Sequence, residues 1–205
     1  MKLVVFGASG KTGTHIVEQA LAEGHEVSAF VRDVLKLNIK HENLSTVTGD
    51  VLNTKNVEEA IKDQDAVLVA LGNSTTSKNS LRSEGTRNII SAMQTHNIKR
   101  LIVMTTMGAH ESWEQLTFAG KAFFRTMLKH VKADHELQED YVKSSGLDWT
   151  IVRPSGLTDG VKTSSYQAGN DSNLKASRIA RADVAEFILK QLHDESWSGK
   201  AVSIT

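Results

Sequence analysis

The chain has 205 residues, of which 40% are hydrophobic and 23% are charged, a composition typical of a globular domain rather than of a disordered or fibrous chain. It contains no cysteine, which excludes disulfides, iron–sulfur clusters and cysteine nucleophiles. Its 24 Lys and Arg residues balance its 24 Asp and Glu residues, so we do not expect nucleic acid as a partner.

The sequence also bears on where the protein works. No apolar run approaches the ~20 residues that a membrane span needs. The strand-like run after Met1 is too short for the apolar core of a signal peptide. We therefore expect a cytoplasmic protein without a membrane partner, and we favour a monomer.

Short β-rich runs alternate with amphipathic stretches along the chain. The predicted strands cover residues 3–6, 26–31, 44–48, 66–71, 100–105, 149–152 and 201–205. Several are continuously apolar, which is typical of parallel strands covered on both faces. Apolar residues at helical spacing predict helices over residues 14–23 and around residues 57–61, 89–93 and 184–192. The alternation predicts a single α/β domain, residues 1–205, with a doubly wound parallel sheet.

One segment departs from this alternation. The only proline, Pro154, is predicted to end the strand at residues 149–152 and to start an irregular segment. Residues 158–177 are rich in Gly, Ser, Thr, Asn and Asp, which predicts a long surface loop. Loops of that length in compact domains are often functional.

The strongest motif is a glycine-rich loop between the first predicted strand and the first predicted helix. Its residues are Gly7, Ala8, Ser9, Gly10, Lys11, Thr12 and Gly13. Gly7 permits a tight turn, Gly10 lets a pyrophosphate approach the backbone, and Gly13 lets the helix pack close to the sheet. The helix N-terminus adds free N–H groups for phosphate. This strand–turn–helix context predicts a dinucleotide site rather than a turn without a ligand.

A nucleoside triphosphatase is a weaker alternative, because Gly10, Lys11 and Thr12 resemble the end of a P-loop. Val5 stands where that motif requires its first glycine. The loop is also too short to wrap a triphosphate.

The residues after the second predicted strand bear on which dinucleotide binds. An NAD site usually carries an acidic residue there for the ribose 2′-OH, whereas an arginine suits the 2′-phosphate of NADP. Arg32 takes this place, Lys36 can add charge, and Ser9 can donate a hydrogen bond to the same group. We therefore predict NADPH. An inward-turned Asp33 would favour NAD instead, and a separate alternative is that Arg32 is an ordinary surface arginine.

Further candidate cofactor contacts follow the later strands. Asp50 can accept the adenine amino group while Val51 packs on the ring, although Asp50 also suits the start of the next helix. The small residues at the end of the fourth strand let the backbone pass the cofactor ribose. The candidates in these later segments are Leu71, Gly72, Asn73, Thr105 and Pro154.

These motifs together resemble the atypical short-chain dehydrogenases with an NAD(P)-binding Rossmann fold, and within them the biliverdin-IXβ reductase/flavin reductase branch. The matching stretches are residues 6–13 (FGASGKTG), 31–33 (VRD), 49–52 (GDVL), 64–72 (QDAVLVALG), 83–93 (SEGTRNIISAM) and 133–147 (ADHELQEDYVKSSGL). The resemblance implies hydride transfer from NADPH to a loosely held aromatic acceptor, a flavin or a linear tetrapyrrole, in a pocket formed by the loops after the strands. The flavin would be a substrate and not a bound prosthetic group.

The resemblance also implies roles for individual residues. Thr105 and Thr106 fall where the family has a Thr-Ser pair beside the nicotinamide, and His135 matches a family histidine. The chain departs from the family elsewhere. Ser155 stands where the mammalian enzyme has a histidine, and residues 73–79 lack the family arginine.

The residues themselves argue against the usual alcohol chemistry of short-chain dehydrogenases. That chemistry uses a Tyr-x-x-x-Lys pair, in which the lysine lowers the pKa of the tyrosine. Tyr141 is followed four positions later by Ser145, and Tyr166 by Asn170, so the pair is absent. Flavin reduction needs only a nicotinamide held against the acceptor, with the proton supplied by water.

Four residues are candidates for the chemistry. Thr105 and Thr106 lie at the carboxyl end of a predicted strand, where doubly wound sheets bind ligands, although they could be ordinary strand residues. His110 follows in the next loop and could reach the acceptor. His135 lies in a helical stretch and could instead be a surface histidine. No histidine spacing typical of a metal site occurs.

An aromatic cluster follows the fifth predicted strand. It comprises Trp113, Leu116, Phe118, Phe123 and Phe124. These side chains could wall the acceptor pocket, or they could belong to a helix that packs on the sheet.

Three functions remain open at this stage. The leading prediction is an NADPH-dependent reductase of flavins and biliverdin-type tetrapyrroles. The alternatives are a non-catalytic dinucleotide sensor of the same fold and a reductase or isomerase of another small molecule.

Overall fold

The apolar runs of the sequence form the strands of one central sheet. The computed structural model describes residues 1–72, 80–171 and 173–205. The strands are β1 (Lys2–Phe6), β2 (Glu26–Val31), β3 (Leu44–Thr48), β4 (Ala66–Val69), β5 (Arg100–Met104), β6 (Asp148–Pro154), β7 (Gly156–Thr158), β8 (Ala168–Gly169), β9 (Arg178–Ala180) and β10 (Lys200–Ile204). The helices are α1 (Lys11–Ala22), α2 (Thr54–Ile61), α3 (Leu81–Thr95), α4 (Phe118–Thr126), α5 (Lys129–Lys143) and α6 (Arg181–Lys190).

The central sheet has the strand order β3-β2-β1-β4-β5-β6-β10-β8. Every neighbouring pair is parallel except β10 and β8. In the register of β1, Val5 stands opposite Ala29 on one side and Leu68 on the other. The order reverses between β1 and β4, which creates a switch point where ligands bind in such sheets. The predicted doubly wound α/β fold is confirmed.

Helices cover both faces of this sheet. On one face, α1 and α6 bury an apolar cluster that includes Ile16 and Val184 against the sheet. On the other face, α2, α3 and α5 bury a second cluster that includes Val57, Ile89 and Val142. The strands between them are buried on both sides, which explains why their sequences are continuously apolar.

The strand at Pro154 is longer than the sequence predicts. Pro154 is the last residue of β6 and stands opposite Ile204 of β10. Its carbonyl oxygen accepts a hydrogen bond from the N–H of Met107, so this side of Pro154 faces the chain beyond the end of β5. Because β5 has already ended there, the missing N–H of proline costs no ladder hydrogen bond.

The predicted surface loop at residues 158–177 is irregular over most of its described length. It contains the two-residue strand β8 and lies between β7 and β9, which pair in a small separate sheet. The candidate Asn73 and the segment 73–79 lie outside the described residues.

The glycine loop is folded so tightly that a side chain at Gly13 has no room. A methyl group there would lie 2.1 Å from the carbonyl oxygen of Gly7, whose φ is +85°. Either the loop or α1 must shift to accept it. We expect Gly13→Ala to lower the free energy of unfolding by about 1–3 kcal/mol, measured by urea denaturation.

Gly169→Ala is the matched control. A methyl group at Gly169 meets nothing within 4 Å, so we expect little change in its urea midpoint. Equal stability of the two variants would show that the close packing at Gly13 is not required.

Candidate active site

One cleft of about 690 Å³ lies at the carboxyl ends of β1, β2, β4 and β5. Most of the residues predicted from the sequence line it. They are Gly7, Ser9, Gly10, Lys11, Thr12, Arg32, Lys36, Val51, Leu71, Gly72, Thr105, Thr106 and His135. Gly13, Asp50, Pro154 and His110 do not line it.

The glycine loop prepares the N-terminus of α1 for an anion. The N–H of Gly10 donates to the carbonyl oxygen of Gly7 at 2.9 Å, which closes the turn. Gly10 is the residue before α1 and has no side chain to cap the helix. The N–H groups of the first turn therefore stay available to a phosphate, and the helix dipole favours a negative charge there.

Two exposed cations follow the end of β2. Arg32 and Lys36 are exposed, and neither forms an ion pair within the described part of the chain. Asp33 does not line the cleft, because its carboxylate accepts a hydrogen bond from the N–H of Leu35 at 3.0 Å and caps a short helical turn. This geometry is the one that suits a 2′-phosphate.

Asp50 and Val51 have different roles. The carboxylate of Asp50 accepts a hydrogen bond from the N–H of Leu52 at 2.9 Å, so it stabilises its own turn outside the cleft lining. Val51 is buried and packs beneath Gly85, where a methyl group would lie 2.8 Å from a Val51 methyl carbon. The side chain of Val51 therefore forms part of the cleft wall.

The two threonines lie at the end of β5, and both hydroxyl groups are engaged. Thr105 is buried, and its Oγ1 donates to Oε1 of Glu139 at 2.8 Å. Oγ1 of Thr106 donates to the carbonyl oxygen of Met107 at 3.2 Å. Both residues still line the cleft.

An ion pair that the sequence analysis did not identify lies directly behind Thr105. Glu139 of α5 and Arg153 of β6 have side chains that are 0% and 1% exposed. Nε of Arg153 donates to Oε1 of Glu139 at 2.8 Å, and Nη2 donates to Oε2 at 2.5 Å. Lys143 approaches Oε2 at 3.3 Å, and Glu111 accepts from Nη1 of Arg153 at 2.7 Å.

These contacts keep Glu139, Arg153 and Glu111 charged. Burial opposes ionisation of Glu139, but hydrogen bonds from Arg153 outweigh it and hold the pKa of that carboxyl below its usual range. The same balance of burial against Arg153 lowers the pKa of Glu111 to about 2. The two carboxylates in turn raise the pKa of Arg153 despite its own burial.

His135 is buried, so the alternative of a surface histidine is wrong. Its Nδ1 lies 3.1 Å from Oε1 of Gln138, whose Nε2 donates to Thr86 at 2.9 Å. This chain of contacts assigns the imidazole proton to Nδ1 and leaves Nε2 as an acceptor. Burial lowers the pKa of His135 to about 4, with the charge of Arg82 acting in the same direction. The imidazole is therefore neutral at neutral pH and is no source of protons.

This neutral histidine predicts a loss of stability in acid. Between pH 6.5 and about 4 the unfolded chain binds a proton at this position and the folded protein does not, so stability falls as the pH is lowered. The full loss amounts to about 3 kcal/mol below that window. We expect an NMR titration of His135 with a midpoint near 4, and His135→Asn should remove this part of the slope. A midpoint near 6.5 would contradict the assignment.

His110 lies in a second groove of about 720 Å³, away from the cleft lining. Its Nε2 lies 3.2 Å from the carbonyl oxygen of Glu136 and 3.1 Å from Oδ1 of Asp140, which hold the ring against α5. Trp113 and Phe124 line the same groove in an edge-to-face pair. The prediction that His110 faces the acceptor does not agree with this placement.

The rest of the aromatic cluster does not pack on the sheet. None of the residues of α4 is buried, and Phe118 and Phe123 are 89% and 51% exposed. Only Leu116, before the helix, is buried. The interpretation of this segment as a helix packed on the sheet is therefore wrong, because α4 lies beside α5.

Metal-binding and membrane-spanning features are absent from the part of the chain that the structure describes. Among the described residues, no three or more His, Asp or Glu side chains form a group that could hold a metal ion. Across residues 1–72, 80–171 and 173–205, no helix combines the length and apolar character needed to cross a bilayer.

The fold and the cleft define a class: α/β proteins that bind a dinucleotide at the switch point of a parallel sheet. Residues 7–195 match the model of a protein family described as NAD(P)H-binding. The chain belongs to this NAD(P)H-binding family, which is of oxidoreductase type.

Individual relatives agree with this assignment. The uncharacterized protein YwnB of Bacillus subtilis is 31% identical over 201 residues, which cover 94% of this chain and 92% of YwnB. The structure of ChuY from Escherichia coli O157:H7, described as an anaerobillin reductase, has a TM-score of 0.84 at 26% identity and covers 100% of this chain and 96% of ChuY. A short-chain dehydrogenase/reductase from Veillonella parvula, solved in complex with NADP, shares the fold with a TM-score of 0.82 at 19% identity, covering 99% of this chain and 93% of its own.

Proposed function

We propose that the protein is an NADPH-dependent reductase that transfers a hydride to flavins and to linear tetrapyrroles of the biliverdin type. The observation that carries this proposal is the set of side chains and backbone groups that line one cleft. The glycine loop, the exposed cations Arg32 and Lys36, and the hydroxyl-bearing residues Thr105 and Thr106 line it together. The likeness to ChuY, described as an anaerobillin reductase, supports a reductase of this kind.

The residues present fit NADPH. The uncapped first turn of α1 suits the pyrophosphate, and the forked guanidinium of Arg32 suits the 2′-phosphate, with Lys36 beside it. The wall at Val51 and Leu71 is apolar and suits the adenosine part. Thr105 and Thr106 then hold the nicotinamide end. The bound cofactor supplies the hydride, and the chain binds and orients the two reactants.

The same side chains favour an acceptor that needs no protein acid. His135 is neutral and presents an acceptor atom. The hydroxyl group of Thr105 already donates its hydrogen bond to Glu139. The proton that accompanies the hydride therefore comes from water. This suffices for a flavin, whereas a carbonyl substrate needs an acid at the reacting oxygen.

A panel of acceptors tests the proposal. NADPH oxidation is followed with FMN, riboflavin or biliverdin, with NADH as the competing donor. We expect turnover with NADPH and flavin to exceed the rate without protein. Gly10→Val should abolish it, because a branched side chain at Gly10 blocks the pyrophosphate approach.

A non-catalytic dinucleotide sensor is the alternative, since the lack of a Tyr-x-x-x-Lys pair suits it equally. Tight binding of NADPH without oxidation by any acceptor of the panel would contradict the reductase and favour the sensor.

A further inference from the structure

The hydrogen bond between Thr105 and Glu139 has a fixed direction. A hydroxyl group can donate one hydrogen bond and accept others, whereas an ionised carboxylate can only accept. Because Oγ1 of Thr105 lies 2.8 Å from Oε1 of Glu139, the hydroxyl proton points at the carboxylate. Any hydrogen bond between Thr105 and a molecule in the cleft must then be one that Thr105 accepts.

The surroundings of Glu139 keep it ionised. Arg153 approaches from β6 with two N–H donors, Lys143 approaches from the next turn of α5, and Glu111 contacts only the far side of Arg153. The carboxylate is completely buried and Arg153 is 1% exposed, so water does not compete for the contact. Two cations thus face Glu139, and among the described residues Thr105 is its one uncharged donor.

We propose that Thr105 accepts a hydrogen bond from the carboxamide N–H of the nicotinamide, and that Glu139 and Arg153 are positioning residues that fix this direction. The inference rests on the proposed function, which places the nicotinamide at the end of β5. It adds a chemical requirement, namely that the ligand presents an N–H donor to Thr105. It also gives the buried ion pair a role in binding as well as in folding.

A cofactor analogue tests this requirement by equilibrium binding. In the acetylpyridine analogue of NADP a methyl group replaces the amide nitrogen, so the carbonyl remains and the donor is lost. We expect the protein to bind NADP about 3- to 10-fold more tightly than the analogue, the range expected for one hydrogen bond. Thr105→Ser should keep this preference, and Thr105→Val, which has the same shape without the hydroxyl, should bind both ligands about equally. No preference in the unmodified protein, or the same preference in Thr105→Val, would overturn the proposal.

A second variant tests the positioning residues. In Glu139→Gln the amide N–H can donate to Thr105, which frees the hydroxyl proton to turn towards the cleft. We expect the preference for NADP to disappear or to reverse. If Glu139→Gln does not fold, Glu139→Asp keeps the charge for Arg153 but shortens its reach to Thr105, and it should also weaken the preference. A folded variant that keeps the full preference would overturn the role of Glu139.

The binding ratio separates this inference from the proposed reaction. A protein that binds NADP with the expected preference but reduces no flavin would contradict the proposed function alone. A protein that reduces flavin without the preference would contradict this inference alone.

Discussion

Replacing Arg153 with methionine is expected to lower the free energy of unfolding by about 3–5 kcal/mol, because it leaves the carboxylate of Glu139 buried without its main counter-charge. Glu139 is completely buried, and two of the contacts that keep it ionised come from Arg153. The remaining cation, Lys143, is partly exposed and lies 3.3 Å away. Urea denaturation of the two proteins at neutral pH measures the difference.

The double variant Arg153→Met with Glu139→Leu is the matched control. It removes both buried charges and fills their volume with apolar side chains, which is often neutral for stability. We expect it to recover most of the lost stability. An unstable double variant would show that Arg153 matters through its packing, and an unaffected single variant would show that Glu139 becomes protonated or hydrated without cost.

Replacing Arg32 with alanine is expected to weaken NADPH binding by about 10- to 150-fold, the range for hydrogen bonds to a charged group. NADH lacks the 2′-phosphate, so its affinity should change little. Arg32 forms no ion pair within the described residues, so its removal should leave stability nearly unchanged. Titration of both cofactors, followed by their fluorescence, gives the two affinities.

Asp33→Asn is the control for this experiment. Asp33 caps its own turn through the N–H of Leu35 and does not line the cleft, so the ratio of the two affinities should stay as in the unmodified protein. Equal losses of NADPH and NADH affinity in Arg32→Ala would contradict the assignment of Arg32 to the 2′-phosphate.

Local patterns in the sequence were enough to predict the sheet and the dinucleotide loop. The apolar runs at residues 3–6 and 100–105 identify buried parallel strands, because covered strands need apolar side chains on both faces. The spacing of Gly7, Gly10 and Gly13 identifies the loop, because a side chain at each of the three positions would interfere with the turn, the pyrophosphate or the helix packing. Both signals lie within a few neighbouring residues.

The ion pair behind Thr105 could not be predicted from local sequence patterns. Glu139 and Arg153 lie on a helix and a strand whose pairing depends on the tertiary structure. One local signal was present, since Arg153 directly follows residues 149–152, which were predicted as an apolar strand, and an arginine is rarely buried without a partner. The burial of His135 was left open for a similar reason, because the partner of its neighbour Gln138 is Thr86 on α3.

For the segment after β5 the error runs the other way, because residues that were expected to be covered are exposed. Its aromatic residues predicted either a pocket wall or a helix on the sheet, but α4 leaves Phe118 and Phe123 exposed beside α5. Hydrophobicity alone does not determine which element of the fold a helix packs against. The backbone at His110 has a φ of +46°, and no sequence pattern marked that turn.

Anaerobic mixing of the protein with NADPH and FMN tests the central claim most directly. The absorbance of NADPH and the visible band of the flavin are followed together, because the absence of oxygen prevents reoxidation of the reduced flavin. We predict that the protein accelerates the loss of both signals in equal molar amounts, and that NADH gives a slower reaction. NADPH that stays bound and unoxidised in the presence of FMN would contradict the assignment of the cleft as a flavin reductase site.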